Sequence, residues 1–140
     1  MTIPTPRNLD WLLDDLVARM PDVRFAIVLS TDGMLLGRCT SMEQADAERF
    51  GAMASTLHGV ARSAGAHFDV GGVCQTVVEL DEAVLFITAA GENACLALLT
   101  VETANMGMVA YEMNQTVQRV GAHLSADPRP TLDEAGSRQP

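Results

Sequence analysis

The residues able to do chemistry in this chain are few and scattered. Three histidines (His58, His67, His123) and three cysteines (Cys39, Cys74, Cys95) are the imidazole and thiolate side chains that could hold a transition metal. Neither CxxC nor HExxH occurs, so a metal centre would have to be assembled by packing alone. Each cysteine sits in an apolar run, where a reduced thiol is expected to be buried as a small hydrophobe. A nucleophilic cysteine needs an electropositive, partly exposed setting, which Cys74 and Cys95 on strand-like runs do not suggest. Asp14 and Asp15 are adjacent, and adjacent helical residues do not share a face, so they read as a solvated polar surface. Asp81-Glu82 reads as a turn.

All nine basic residues are arginine. Without lysine there is no P-loop of the usual type and no Schiff-base nucleophile, and GxSxG and GxGxxG are also missing. The inventory predicts no catalytic residue, no metal and no cofactor. A formal net charge of −9 argues against a phosphate-tracking nucleic-acid surface and against docking on an anionic membrane. It suits solubility and association with a basic protein surface. No signal peptide is read in the first residues, and no apolar run approaches the roughly 20 residues of a membrane span. A cytoplasmic protein is expected.

The elements that must position these residues follow from periodicity. At 140 residues, 48% of them hydrophobic, the chain has room for one globular domain. Residues 1–7 and 127–140 read as tails, the latter disordered, around a domain over 8–126. Leu9, Leu12, Leu13, Leu16, Val17 and Met20 share a helical face, with Asn8 a plausible N-cap and Pro21 a stop. Val23 to Ser30 and Met34 to Thr40 read as a hairpin turning at Asp32-Gly33. A long helix follows from about Glu43 to Ala66, with a capping box expected from Thr40 and Glu43 or Ser41 and Gln44. Its apolar stripe is Phe50, Met53, Leu57, Val60 and Ala64, flanked by many Ala, Gly and Ser residues. Gly72 to Leu80, Ala83 to Ala90 and Ala94 to Val101 are joined by hairpin-length connections and form an antiparallel meander. A last helix runs from about Met106 to Ala126, with Asn105 as its cap.

Period-2 inspection shows apolar residues on both faces of the first, fourth and fifth strands, so helices must cover both faces. The predicted fold is α+β: a three-layer α/β/α sandwich with a five-stranded antiparallel sheet, one long helix on one face and two on the other. Strands one and five are the most uniformly apolar and belong in the centre, which gives the order 2-1-5-4-3. Strand three is then an edge without charge over Gly72 to Val78, a liability unless paired. Pairing with a second copy across a two-fold axis predicts a homodimer. Its interface would use Gly72, Val73, Cys74, Gln75, Thr76 and Val77 of the edge, with Met53, Leu57 and Val60 of the long helix.

This order of elements, with the segment Ala26-Ile-Val-Leu-Ser-Thr-Asp-Gly33 and the helix entry Ala104-Asn-Met-Gly107, resembles the roadblock (dynein light chain) family. The resemblance covers about Leu9 to Leu124, and the chain looks like single-domain bacterial members associated with small Ras-like GTPases and sensor-kinase-like proteins. It implies a profilin/longin-like homodimer, no cofactor, and a role in regulating or scaffolding a GTPase. If such a partner is bound, Arg49 and Arg62 on the long helix are the candidate contacts. They would order the partner's switch regions rather than supply an arginine finger, since neither lies in a presented loop. Two competing readings are a small-molecule sensor of PAS or GAF type, which needs a pocket, and a kinase-complex adaptor without effect on hydrolysis.

Overall fold

A computed structural model describes residues 9–125 as eight elements. They are α1 (Asp10–Arg19), β1 (Val23–Ser30), β2 (Leu35–Arg38), α2 (Gln44–His67), β3 (Thr76–Glu79), β4 (Ala83–Ala89), β5 (Ala94–Val101) and α3 (Met106–Ser125). The expected tails and the expected cap Asn8 lie outside the described residues; Leu9 flanks α1 and offers no side-chain cap.

The strands form one antiparallel sheet in the order β2-β1-β5-β4-β3. That is the order expected from placing the two most apolar strands in the middle. Gly33, at φ +97, makes the first turn, where an L side chain would be strained. Ala26, Ile27, Val28 and Leu29 of β1 and Cys95 to Leu98 of β5 are buried on both faces of the sheet. On one face, Phe25 meets Phe50 of α2 edge to face at 5.6 Å between centroids. By register, Ile27, Leu29, Ala97, Leu99, Leu85, Ile87 and Val78 share that face. The other face carries α1 and α3, which also pack on each other.

Three sequence expectations need correction. The capping box at α2 does not form: Glu43 is the flanking residue and makes no side-chain cap. Thr40 is engaged elsewhere, its Oγ1 donating to Asp14. The third strand is short, beginning at Thr76 rather than Gly72. Thr88 Oγ1 donates to the Cys74 carbonyl at 3.2 Å, so a side-chain bond stands where a ladder bond would continue β3. Cys74 is consequently exposed, whereas Cys39 and Cys95 are buried as expected. Asp14 and Asp15 are not merely solvated. Asp15 accepts from Arg19 Nε at 3.0 Å and Arg119 Nη1 at 3.2 Å, and Arg19 also pairs with Glu112. Together they clasp α1 to α3, with Arg119 lying 5.5 Å over the Trp11 ring.

Candidate functional site

Helix α2 is turned differently from its apparent apolar stripe. Ala47, Phe50, Gly51, Ala54, His58 and Gly65 face the protein interior. The small residues are needed there: a Cβ on Gly51 would already touch Ile27 Cδ1 at 3.7 Å, so larger side chains would hold the helix off the sheet. Of the stripe residues Phe50 alone is fully on the inner face, and the others stand further out. Met53 is 54% exposed and Val60 64%, while Leu57 is half-buried. Ala52, Met53, Thr56 and Leu57 line one shallow surface depression.

Helix α2 packs chiefly on β1 and β2 and less on β3, and it leaves part of this sheet face uncovered. Between α2 and the outer strands runs a groove of about 620 Å³, floored by Phe25, Leu85 and Leu99 and walled by Phe50, Met53, Leu57 and Leu80. Arg49, Glu43 and Asp46 stand at its rim. Leu80 is 54% exposed, and Phe68 and Val70, on the connection leaving α2, are 69% and 76% exposed. Apolar surface gathered along a groove is of the kind that suits contact with a partner.

The two sheet edges differ in a way that bears on this surface. At β2 the Cys39 N–H points inward to the Ala26 carbonyl, so those of Arg38 and Thr40 point outward. Both are capped by α1: Arg38 N–H donates to Asp10 Oδ1 at 3.0 Å and Thr40 N–H to Asp14 Oδ1 at 2.8 Å. At β3 the Leu80 N–H points inward to the Ala83 carbonyl, which leaves Val77 and Glu79 facing out. Among the described residues no side chain caps them. One edge is sealed and the other is open.

The predicted site residues fall on this region. Val77 is 41% exposed; Gly72, Cys74 and Gln75 are exposed, and Val73 and Thr76 are half-buried. Thr76 Oγ1 is buried without a hydrogen bond. Arg49 is exposed and only loosely paired, 4.0 Å from Asp46. Arg62 is exposed between three and four turns further along α2, close enough to act electrostatically on His58 and Cys95.

Sequence reasoning weighed His58 only as a metal ligand, not as a buried group on the inner face. It is 5% exposed on the inner face of α2, and its Nδ1 has no hydrogen-bond partner. Burial, with a smaller repulsion from Arg62, lowers its pKa below the ordinary value. Burial likewise pushes the Cys95 thiol up, against a smaller opposing pull from Arg62, so it is poorly suited to act as a nucleophile. The signal for His58 was its fit to the small-residue face, one turn beyond Ala54. Among the described residues no cluster of three or more His, Cys, Asp or Glu is placed to hold a metal, and no helix is long and apolar enough to cross a membrane.

The similarities to known proteins agree with this architecture. A Roadblock/LC7 domain of Streptomyces avermitilis, known by crystal structure, is 39% identical. The match covers 84% of this chain and 98% of that one, with a TM-score of 0.81. MglB of Myxococcus xanthus is only 11% identical, yet superposes with a TM-score of 0.80 over 94% of this chain and 98% of its own, a likeness of fold. An uncharacterized protein of Methanocaldococcus jannaschii, MJ1340, is 28% identical over 71% of this chain and 86% of its own length. The pattern of the Roadblock/LC7 domain matches residues 9–100, and with that match over most of its length the chain belongs to the Roadblock/LC7 domain family.

Proposed function

We propose that this chain is a non-catalytic homodimeric regulator or scaffold that binds a small Ras-like GTPase within a bacterial signalling complex. The observation that carries the proposal is the apolar half-face of the sheet left beside α2, continuous with the open β3 edge. A second copy pairing along β3 across a two-fold axis perpendicular to the sheet brings its own α2 onto the same face. Met53, Leu57 and Val60 of the two helices then cover each other and the groove. Family membership and the fold shared with MglB support the GTPase as partner.

Arg49 and Arg62 both project from the regular body of α2, which suits contact with a partner's mobile switch segments better than insertion into its catalytic site. Replacing both with Ala is expected to weaken binding by up to about tenfold, as for rim charges, and to leave partner hydrolysis measurable.

Light scattering over a dilution series, alone and with the GTPase loaded with GDP or a GTP analogue, tests the reading. A dimer that binds in one nucleotide state supports it. Binding indifferent to nucleotide reduces it to an adaptor, one that could equally serve a sensor-kinase-like protein. A monomer at all concentrations overturns the interface.

The apolar groove also favours a second reading, a sensor for a small apolar ligand. Thermal stabilisation by such a ligand, with dimerisation absent, would decide for it.

A further inference from the structure

We propose that Phe68 and Val70, on the connection leaving α2, close the outer end of a second copy's groove by packing over the partner's Leu80. This rests on the β3-paired dimer proposed as the functional form, in which each chain then completes the other's site.

Interface size supplies the first argument. Strand β3 has four residues, Thr76–Glu79, which give about 13 Å of ladder. A stable interface draws on about 800 Å² from each partner, or about 20–30 residues a side. The short ladder and one side of α2 leave room for more surface beside the edge. Phe68 and Val70 are the most exposed large hydrophobic side chains among the described residues, and Leu80 is more than half exposed.

Symmetry supplies the second. Strand β3 starts at Thr76, opposite Ile87, and ends at Glu79, opposite Val84. Ahead of its start, the Cys74 carbonyl lies beside Thr88, and the Gly71 carbonyl lies against Gly65 of α2. Phe68 and Val70 therefore stand past one end of β3, and Leu80 stands past the other. A two-fold axis perpendicular to the sheet reverses the partner's β3, bringing its first end beside the second end of this chain. Each face stays on its own side. Val78 pairs with Leu85 on the α2 face, so Leu80, two residues on, points the same way and lines the groove with Phe50 and Leu57. Phe68 and Val70 leave α2 in that layer. The partner's Phe68 and Val70 thus arrive over Leu80, where an aromatic ring and a branched aliphatic cover its exposed side. The contact occurs twice, once at each end of the pair.

Phe68 and Leu80 of one chain are held apart by the length of β3, so contact between them can only cross the interface. Isotope-filtered NMR on a dimer mixed from labelled and unlabelled full-length chains reads it directly. Nuclear Overhauser contacts from the Phe68 ring of one chain to the Leu80 methyls of the other are expected. A stable dimer without them overturns the inference and leaves the β3 pairing standing. The double variant Phe68→Ser, Val70→Ser is expected to weaken dimerisation by about tenfold or more in a light-scattering dilution series. Met34→Ser, equally exposed but on the β1–β2 turn, is expected to leave it unchanged. Undiminished affinity of the double variant also overturns the inference alone. A wild-type chain that stays monomeric at all concentrations overturns the pairing and the inference together.

Discussion

The carboxylate of Asp14 closes the outer edge of β2: its Oδ1 accepts the Thr40 backbone N–H at 2.8 Å, and its Oδ2 accepts the Thr40 hydroxyl at 3.0 Å. Asp10, one helical turn earlier, does the same for the Arg38 N–H. Helix α1 thus works as a cover for an edge as well as a layer of the sandwich. Asp14→Ala should cost about 1.5–3 kcal/mol in urea unfolding, the range for a hydrogen bond to a charged group. Faster exchange of the Thr40 amide should accompany it. Asp14→Asn, which keeps an acceptor, should lose less.

At the opposite edge the outward N–H of Val77 has no partner within the described chain. Val77→Pro removes that N–H while the inward-facing ladder N–H groups of β3 stay in place, and proline is tolerated on edge strands. The expected outcome is a folded monomer by light scattering and circular dichroism, with dimer affinity weakened by a hundredfold or more, about 2.7 kcal/mol. Retention of a tight dimer would show that β3 is not the pairing edge.

His58 makes stability depend on pH in a defined window. Its pKa is lowered in the folded protein, chiefly by burial, so below about pH 6.5 the unfolded chain binds the proton more readily than the folded one. Stability therefore rises with pH through this window and is lost as the solution is acidified. Denaturant midpoints should be level above about pH 7.5 and fall progressively below pH 6.5. His58→Leu should flatten that slope. Asp15, held low first by Arg119 and then by Arg19, acts in a separate range: its contribution is present above its unfolded value of 3.8 and disappears in stronger acid.

The exit of α2 sets two substitutions against each other. The Val70 N–H returns to the Gly65 carbonyl at 2.9 Å and that of Asp69 to Ala66 at 3.2 Å, with Asp69 in the left-handed region at φ 56°, a Schellman closure. A Cβ on Gly65 would stand 2.1 Å from the Gly71 carbonyl oxygen. Gly65→Ala should destabilise by about 2–4 kcal/mol, because the obstacle is backbone. Asp69→Gly should be neutral or gain up to about 1 kcal/mol by relieving the left-handed strain. Thermal unfolding checks both.

Much of the architecture was legible because the local signals left little choice. Ala26-Ile-Val-Leu29 and Cys95 to Leu98 are apolar at every position, so they had to be central, and the short Asp81-Glu82 and Gly91-Glu92-Asn93 connections forced antiparallel neighbours. The rotation of α2 was not legible, since its large stripe and its small flank each made a plausible inner face. What decided between them was the closeness of Gly51 to Ile27, a distance no helical wheel contains. The duties of Asp14, Asp15 and Thr40 were hidden for a related reason: their partners lie between 4 and 104 positions away. The groove residues Phe25, Leu80, Leu85 and Leu99 went unnamed as a site because each looked like ordinary core or turn. The stretch from Gly72 to Gln75 had strand composition but no ladder, because Thr88 claims the Cys74 carbonyl.

The inequality of the two sheet edges also bears on how far an assembly can grow. A ladder with free rungs at both ends could accept neighbours indefinitely and lengthen into a fibre. With Asp10 and Asp14 occupying the rungs at one end, the proposed pairing along β3 would use the single vacancy of each chain. On that proposal the count would stop at two, and the same pair of carboxylates that settles α1 against β2 would act as the terminator of polymerisation.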